Sequence, residues 1–240
     1  MITVALLSQK GGALKTTLSI SLACAGVETG KETLLIDLDP QATACKWGDR
    51  RKVESPIVID AQPARLANAL QKAKEGGIQL AVIDTPPRSA DAALAAAKLA
   101  DVIVLPCRPQ MYDLETIPNT LELVATARTG KGALPMIAVL TAVPAQGSRH
   151  EQARQAIEGF GVTVSAYTIG QRAAFGDAGA LGLSVLELDG KSRASDEVRQ
   201  VYSEILRLVG SQAPSHAAKP KTNEGGKPEG SRRTKTKAPA

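Results

Sequence analysis

The sequence predicts an α/β fold with a doubly wound, mostly parallel sheet and a phosphate-binding loop after the first strand. Hydrophobic residues make up 43% of the chain, and their abundance as Ala, Leu, Val and Ile suits helices packed on a parallel sheet. A glycine-rich segment, residues 8–17, stands between an apolar run and an amphipathic run. Two further apolar runs end in carboxylates, at Asp37 and Asp84. Strand ends of this kind are where open α/β sheets bind ligands.

Hydrophobic spacing and turn residues predict the elements in order. Residues 2–7 are apolar and partly β-branched, as in a buried strand, whereas residues 18–27 have helical spacing and end before Gly30, a typical C-cap. Later helices are indicated in the same way, for example by Leu66 and Leu70 before a Gly-Gly pair. The predicted strands are 2–7, 33–36, 56–59, 80–84, 101 onward, 136–140 and 162–166, and the predicted helices are 18–27, a segment around Trp47, 63–74, 90–99, 113–128, 149–159 and 196–209.

Composition argues against several classes of protein. The chain has only six aromatic residues, too few for the stacking platforms that bind RNA or single-stranded nucleic acid. No apolar run reaches membrane-spanning length and the N-terminus has no signal-peptide pattern, so we expect a cytoplasmic protein without a membrane partner. Cys24, Cys45 and Cys107 are widely spaced without a C-x-x-C pair, which indicates free thiols in a reducing compartment.

The net charge of +5 is concentrated at the C-terminal end of the chain. Residues 211–240 contain seven basic and two acidic residues, with much Pro, Gly, Ser and Thr and few apolar side chains. We expect a disordered basic tail there, which either adds nonspecific attraction to DNA or is simply solvated. Residues 1–210, the predicted α/β domain, are formally neutral, so net charge does not indicate a basic face on the domain.

Residues 8–17 have the composition of a phosphate-binding loop. Glycines let consecutive N–H groups point at a phosphate, and the following helix adds its positive N-terminal end. In this pattern Lys15 reaches the outer phosphates and the Thr16 hydroxyl is a Mg²⁺ ligand. The alternative is a tight Gly-Gly turn with a surface lysine. The predicted nucleotide contacts in the loop are Gly11, Gly12, Ala13, Leu14, Lys15, Thr16 and Thr17.

The loop also contains an early lysine, Lys10. In this spacing the segment resembles the deviant Walker A motif, K-G-G-x-G-K-T-[ST], of the ParA/MinD family of dimerising ATPases. In that family the early lysine crosses the dimer interface to the phosphates bound by the partner. The resemblance implies an ATP-sandwich homodimer with ATP and Mg²⁺ as cofactors, in which Lys10 acts in trans and Lys15 in cis as catalytic residues. A solvated lysine at the mouth of the loop is the alternative.

The loop departs from the family pattern at Leu14, where the family has glycine. Glycine before the lysine permits an uncommon backbone angle and a close approach of the backbone to the phosphate. A leucine forced to positive φ costs about 1–2 kcal/mol, and about 1.4 kcal/mol corresponds to a tenfold change in affinity. We therefore expect a weak ATPase or, as the alternative, a nucleotide-gated dimeric scaffold with little or no hydrolysis.

Two carboxylates follow the second predicted strand, in the D-L-D-P-Q string at 37–41. Alternation places Asp37 and Asp39 on the same side of the extended chain, where they can hold hydrated Mg²⁺ and orient a water. The string resembles switch I of the ParA/MinD family, which implies that Asp39 positions the attacking water and Asp37 supports the Mg²⁺ shell. A polar turn with Asp39 or Thr43 as helix N-cap is the alternative.

A third carboxylate, Asp84, ends an apolar run and precedes Thr85-Pro86-Pro87. A strand-end aspartate accepts hydrogen bonds from the water shell of Mg²⁺, as in a Walker B site. The segment resembles the family's D-T-P-P switch II, which implies that Asp84 serves Mg²⁺ and that the loop senses the γ-phosphate. Pro106 and Pro109 resemble the family's V-x-P-x-x-P segment beside the base, with a proline-stiffened turn as an equal alternative.

An arginine-bearing region near the end of the domain resembles the region through which partition members of the family grip DNA. It comprises a predicted loop at 168–175, the Ser192-Arg193 pair and the last helix. The alternative, solvated or salt-bridged arginines near Asp177 and Asp196, suits a formally neutral domain. The candidates for DNA phosphate contacts are Arg172, Arg193 and Arg199.

The resemblance covers about residues 1–210 and implies a ParA-type ATPase for plasmid or chromosome partition. Such a protein dimerises on ATP and Mg²⁺, binds double-stranded DNA on the nucleoid without sequence preference, and hydrolyses ATP when a ParB-like centromere-binding protein stimulates it. A MinD-like positioning ATPase for another cargo is a further alternative. Residues 211–240 have no hydrophobic stripe of the kind that a MinD-like membrane-targeting amphipathic helix requires.

Overall fold

The computed structural model describes residues 1–130 and 134–211, which form a single seven-stranded sheet flanked by helices. Of the predicted tail at 211–240, Ser211 ends the last helix, and residues 212–240 lie outside the described residues. The strands are β1 (Ile2–Leu6), β2 (Thr33–Asp37), β3 (Ile57–Asp60), β4 (Leu80–Asp84), β5 (Val102–Cys107), β6 (Met136–Leu140) and β7 (Thr163–Val164). Their order across the sheet is β3-β2-β4-β1-β5-β6-β7, and every pairing is parallel.

Helices connect the strands in a regular β-α alternation as far as β7. A 3₁₀ turn at Pro63–Arg65 precedes α3, and three helices follow the last strand. The helices are α1 (Lys15–Glu28), α2 (Thr43–Asp49), α3 (Leu66–Glu75), α4 (Ala90–Leu99), α5 (Met111–Leu114), α6 (Ile117–Ala127), α7 (Arg149–Gly159), α8 (Ala174–Ala180), α9 (Val185–Leu188) and α10 (Arg193–Ser211).

The sheet buries both of its faces, as a doubly wound fold requires. Alternate side chains of β1 enter different cores: Ala5 packs in one with α3, α4, α6 and α7, whereas Val4 and Leu6 pack in the other with α1, α2 and α10. Burial on both faces explains why the strand sequences are continuously apolar rather than alternating. The predicted α/β fold with a doubly wound parallel sheet is confirmed.

The carboxyl ends of the central strands meet at one edge of the sheet. Asp84, the last residue of β4, pairs with Leu6 of β1 on one side and with Asp37 of β2 on the other. β5 lies on the far side of β1. The loops that follow these four strands therefore start beside one another, which brings the sequence motifs together.

Three element predictions differ from the structure. The helix predicted at 113–128 is divided into α5 and α6, because Pro118 lies in the first turn of α6, where its missing N–H is tolerated. The strand predicted at 162–166 is only the two residues of β7. The predicted loop at 168–175 ends early, because α8 begins at Ala174, and α9 follows; both helices carry too few apolar repeats to be recognised from spacing.

The cysteines and the lengths of the helices bear on two further expectations. The three cysteines are free, with Cys24 and Cys107 buried and Cys45 half-buried, as predicted. Burial raises the pKa of the Cys24 and Cys107 thiols to about 12, so neither is a reactive thiolate near neutral pH. Across 1–130 and 134–211, no helix has the length and apolarity needed to cross a bilayer.

Candidate functional site

The glycine-rich loop follows β1 and leads directly into α1. Leu14, the N-cap of α1, has φ 58° and ψ 27°, which is the left-handed conformation expected at this position. Gly12 also has a positive φ, of 78°, and such a conformation favours glycine. The loop backbone thus has the curled form that directs N–H groups toward a phosphate, with leucine in the place of the family's glycine.

Leu14 is left-handed where α1 begins, and its carbonyl oxygen accepts a 2.9 Å helical hydrogen bond from the Leu18 N–H. Because the helix start itself requires this conformation, we expect the strain to be a cost of folding rather than of ATP binding. Leu14→Gly should therefore raise the free energy of unfolding by up to about 1 kcal/mol, because the relief of about 1–2 kcal/mol exceeds the extra chain entropy of glycine. ATP affinity should change by less than about threefold. Urea denaturation and nucleotide titration measure the two quantities.

The matched control for this prediction is Leu14→Ala, which keeps the Cβ atom and hence the backbone penalty. The alanine variant should gain no stability. If Leu14→Gly and Leu14→Ala have the same stability, or if the glycine variant binds ATP more than tenfold more tightly, the strain acts at the nucleotide rather than in the fold.

Lys15 is the first residue of α1, and only 7% of it is exposed. Its Nζ donates a hydrogen bond of 3.3 Å to the Ser8 carbonyl oxygen across the loop. Burial lowers the pKa of the Lys15 ammonium, and the nearby carboxylates of Asp84 and Asp39 offset part of that effect. The lysine is thus held inside the loop, close to two acids. The geometry argues against the solvated surface lysine of the alternative interpretation.

Asp84 is completely buried at the end of β4 and faces the start of α1. Thr16 Oγ1 donates a 2.6 Å hydrogen bond to Asp84 Oδ2, and Ser19 Oγ lies 2.9 Å from Asp84 Oδ1. Burial raises the pKa of Asp84 to about 6, although both hydroxyls and Lys15 oppose the shift. A carboxylate buried at such a cost is typical of a functional site.

The Thr16–Asp84 pair fits Mg²⁺ by the chemistry of its donors. Mg²⁺ prefers oxygen ligands, keeps several waters and usually takes only one or two protein groups beside the phosphates of a nucleotide. A hydroxyl and a carboxylate 2.6 Å apart, beside the phosphate loop, provide that set. No cluster of three or more His, Cys, Asp or Glu ligands occurs in the described ranges, so the geometry offers no larger, all-protein metal cage there.

Asp37 and Asp39 have different environments, although they are two residues apart. The Asp37 carboxylate is 1% exposed and accepts three backbone hydrogen bonds, from Asp39 N at 2.9 Å and from Ala44 N and Cys45 N at 2.8 and 3.2 Å. It therefore fixes the loop and caps the start of α2. Asp39 is half-buried, accepts one bond from the Gln41 N–H, and borders the phosphate cavity.

A cavity of about 300 Å³ brings most of the predicted loop and switch residues together. Ala13 lies beneath it, 1% exposed, and its carbonyl oxygen accepts a 3.0 Å hydrogen bond from the buried Thr141 hydroxyl. Lys10 borders a neighbouring cavity instead. The residues that line the phosphate cavity are Gly11, Gly12, Leu14, Lys15, Thr16, Thr17, Asp39, Thr85 and Pro87.

Pro106 and Pro109 are not among the residues that line the phosphate cavity. Pro106 lies within β5, paired with Val139, and Pro109 is buried. The residue between them that approaches the loop is Arg108, whose Nη1 lies 3.6 Å from the position a Cβ on Gly12 would take. The sequence analysis did not single out Arg108, and its position in the proline segment was the only available signal.

Four non-glycine residues with positive φ occur in the described parts of the chain, and all follow strand ends at the ligand edge. Leu14 follows β1, Ala42 follows β2, Arg88 follows β4 and Ala142 follows β6, with φ values of 58°, 51°, 56° and 48°. Such conformations cost about 1–3 kcal/mol each and cluster at ligand sites. Their distribution marks this edge of the sheet as the functional one.

The helix that follows the Asp37 loop is tied to the α8–α9 region by a dense polar junction. Trp47 Nε1 donates a 3.0 Å hydrogen bond to the Leu183 carbonyl oxygen. The Arg51 guanidinium lies 4.4 Å from the Trp47 ring centroid, donates to the Gly182 carbonyl oxygen at 2.9 Å, and forms a 2.7 Å salt bridge with Glu187. The loop at the nucleotide site is thus packed, through α2, against the segment that precedes α10.

The three arginines predicted to contact DNA are all paired with carboxylates. Arg172 forms a bidentate pair with Glu197, at 3.2 and 2.5 Å, and Arg193 reaches the same carboxylate at 3.3 Å. Arg199 pairs with Glu28 at 2.7 Å and with Asp196 at 3.3 Å. Arg193 is the most exposed of the three, with 82% of its side chain accessible. The structure thus places Arg172 and Arg193 together, and Arg199 in a separate cluster.

Comparison with known proteins places these features in context. A model of the CobQ/CobB/MinD/ParA nucleotide binding domain matches residues 4–185. Maintenance of carboxysome distribution protein A of Gloeobacter kilaueensis is 34% identical over 214 residues, which cover 85% of this chain and 94% of that protein. Chromosome partitioning protein ParA of Caulobacter vibrioides is 28% identical over 262 residues, covering 90% of this chain and 96% of that one.

Solved structures can also be compared with the fold. Apo McdA of Cyanothece superposes with a TM-score of 0.71 at 17% sequence identity, and the match covers 86% of this chain and 99% of that one. At this identity the likeness shows the shared fold alone.

Proposed function

The chain belongs to the CobQ/CobB/MinD/ParA nucleotide-binding domain family, and from this membership we propose that it is a ParA-type ATPase. It dimerises on ATP and Mg²⁺, binds double-stranded DNA on the nucleoid without sequence preference, and hydrolyses ATP when a partner protein stimulates it. The observation that best supports this proposal is the position of Lys15. It is buried beside the Thr16–Asp84 pair and directly follows Leu14, whose left-handed backbone ends the phosphate loop.

The proposed reaction transfers the γ-phosphoryl group of ATP to water. The oxygen of water forms a bond to phosphorus, the bond to the ADP oxygen breaks, and the proton of the water passes to the phosphate product or to solvent. Lys15 neutralises charge on the outer phosphates, and Asp39, which lines the cavity, positions the water. When bound, Mg²⁺ neutralises phosphate charge and is held by Thr16 and Asp84. Asp37 holds the Asp39 loop in place, and it also remains our candidate for supporting the Mg²⁺ shell.

The homodimer supplies the second catalytic lysine in this proposal. Lys10 is absent from the lining of the phosphate cavity of its own subunit and borders a cavity beside it. A lysine in that position can act on the nucleotide of a second copy without competing with Lys15. Pro106 and Pro109 remain proposed neighbours of the base, and Arg108, which lies between them in the sequence, approaches the loop at Gly12.

The proposed DNA contacts lie on the α10 side of the domain. Arg193 is the strongest candidate because 82% of its side chain is exposed. It also shares Glu197 with Arg172, so the single negative charge of Glu197 neutralises only one of the two arginines. Arg172 and Arg199 are proposed as weaker contacts, since their own ion pairs must be rearranged or shared. Phosphate contacts by such arginines carry no sequence information, which suits a nucleoid-bound protein.

Two kinds of cargo partner are compatible with this cycle. A ParB-like centromere-binding protein would make the chain a plasmid or chromosome partition ATPase, in line with its similarity to Caulobacter ParA. A protein that links the ATPase to a large protein assembly would make it a positioning ATPase. The 34% identity with a carboxysome distribution protein favours this second candidate as a specific alternative.

DNA retention tests the proposed function. The chain should bind a random-sequence duplex with ATP and Mg²⁺, but not with ADP or without nucleotide, and the affinity should fall steeply as salt rises. Arg193→Ala should weaken binding to all sequences alike and reduce the salt slope by about one. Fluorescence anisotropy over a salt series at fixed nucleotide measures both effects.

The matched control is Arg65→Ala, since Arg65 is exposed and ends the 3₁₀ turn just before α3, which packs on the opposite face of the sheet from α10. This variant should bind DNA like the native chain. DNA binding that is equally strong without nucleotide would contradict the proposed cycle.

A further inference from the structure

Two cations at the ligand edge of the sheet line a cavity separate from the phosphate cavity. Lys10, from the loop after β1, and Arg88, from the loop after β4, both border a space of about 640 Å³. Its other wall is formed by Tyr112 of α5, Asn119 of α6 and Glu115 between these two helices. A cavity of this volume is within the usual range for ligand sites, and it lies between the loops of three adjacent strands, β4, β1 and β5.

The backbone that carries Arg88 is held on both sides. Before it, the Thr85 hydroxyl donates a 2.7 Å hydrogen bond to the Leu6 carbonyl oxygen, which ties the loop to the end of β1. After it, Ser89 Oγ caps α4 by accepting a 3.3 Å bond from the Ala92 N–H. Arg88 itself has φ 56°. A strained conformation at a fixed point is typical of a residue placed for a ligand.

The charges of this cavity are not balanced from within the subunit. In residues 1–130 and 134–211, neither Lys10 nor Arg88 takes part in an ion pair, whereas Arg108, beside the same loop, is paired with Asp113 through Nε and Nη2 at 2.8 and 3.2 Å. Glu115 is the one acidic residue in the lining, against two cations. A cavity with a net positive lining and polar Tyr and Asn walls is suited to an anion.

The anion does not come from the nucleotide of the same subunit. The phosphate cavity is formed by the loop and by Lys15, and neither Lys10 nor Arg88 contributes to its lining. The anion must therefore be presented by another molecule. We identify that molecule as a second copy of the chain, whose bound nucleotide faces this edge when the dimer closes. This identification rests on the proposed function.

The exposed aromatic and apolar side chains at this edge point to the same occupant. Met111 and Tyr112, at the start of α5, are 74% and 73% exposed, the two highest values among the large hydrophobic residues that the structure describes. Tyr112 borders the cation-lined cavity directly. An amphipathic ring and a methionine adjoining a charged cavity are typical of a surface covered on association.

We propose that Arg88 acts together with Lys10 on the phosphates of the nucleotide bound by the second copy. Lys10 and Arg88 then form a pair of cations that enters the partner's site, and Met111 and Tyr112 cover the rim. Arg88 makes closure of the dimer depend on the triphosphate, because its charge is compensated only when phosphate is present.

The test compares Arg88→Asn with Arg88→Lys in the full chain. Asparagine tolerates the left-handed conformation but has no charge, whereas lysine keeps the charge. Arg88→Asn should weaken ATP-dependent dimerisation at least tenfold in sedimentation velocity and slow phosphate release at least tenfold. Arg88→Lys should retain most of both. Affinity for a fluorescent ATP analogue, measured at a protein concentration at which the chain is monomeric, should change less than twofold in either variant.

The control is Arg149→Asn, an exposed arginine at the start of α7 that borders neither cavity; it should match the native chain. Loss of analogue affinity in monomeric Arg88→Asn would overturn the proposal by placing Arg88 in its own nucleotide site. Native dimerisation and hydrolysis in that variant, with reduced DNA retention, would assign the cavity to DNA instead. If the native chain itself does not dimerise with ATP, the proposed function fails, and this inference fails with it.

Discussion

Lys15→Ala is expected to lower ATP hydrolysis by at least about 100-fold and to abolish measurable nucleotide binding at micromolar ATP. Lys15 is buried in the loop and faces the phosphate cavity. Loss of one such charge-stabilising group costs about 10²–10³ in rate, and Lys15 is the one cation among the described residues that line the phosphate cavity. Calorimetric titration with ATP and a phosphate-release assay measure the two losses.

The effect of Lys15→Ala should be separable from unfolding. Burial lowers the pKa of the Lys15 ammonium, so the charge is held at a cost that alanine does not bear, and the thermal midpoint should not fall. Lys46→Ala, an exposed lysine on α2, is the matched control and should leave binding unchanged. A Lys15→Ala protein that still binds ATP tightly would mean that the loop backbone alone holds the phosphates.

Asp39→Ala should reduce hydrolysis by about 100-fold or more while ATP binding persists. Asp39 borders the phosphate cavity and accepts only one backbone hydrogen bond, from Gln41 N, so its second carboxylate oxygen is available to orient a water. Misplacement of the attacking water costs about 10²-fold or more in rate. ATP-bound dimers should therefore accumulate, which size-exclusion chromatography with light scattering detects.

The comparison variant for Asp39→Ala is Asp37→Asn. The Asp37 carboxylate accepts three backbone N–H bonds. In Asn, the side-chain NH₂ group is itself a donor, so it would face at least one of these N–H donors without an acceptor between them. We expect a lower thermal midpoint from Asp37→Asn and native-like stability from Asp39→Ala. If Asp39→Ala hydrolyses ATP at the native rate, another group positions the water.

The fold and the centre of the site were predictable because they depend on local signals. Apolar runs with carboxylates at their ends determine both the strands and the ligand edge, since parallel strands present all their carboxyl ends together. The left-handed conformation of Leu14 was predictable from the residue that the family has there, and the structure confirms it. The alternation argument for Asp37 and Asp39 located both residues but did not separate their roles.

The remaining features depend on contacts between distant parts of the chain. Arg199 pairs with Glu28, 171 positions away, and Arg172 with Glu197, so the predicted DNA contacts could not be recognised as ion-paired from spacing. The sequence analysis suggested Asp177 and Asp196 as acidic neighbours, and only Asp196 forms such a pair, with Arg199. The cavity shared by Lys10 and Arg88 requires the loops of β4 and β1 to be adjacent, which strand order, not sequence, determines.

The most direct test of the central claim is phosphate release from ATP by the native chain and by Leu14→Gly, each with and without nonspecific DNA. The left-handed loop is already formed with leucine, so the account predicts that the native chain hydrolyses ATP and that the glycine variant is faster by only a few-fold. Turnover by the glycine variant alone would contradict the account. In that case the chain would be an ATP-gated dimeric scaffold, with Leu14 as the residue that prevents hydrolysis.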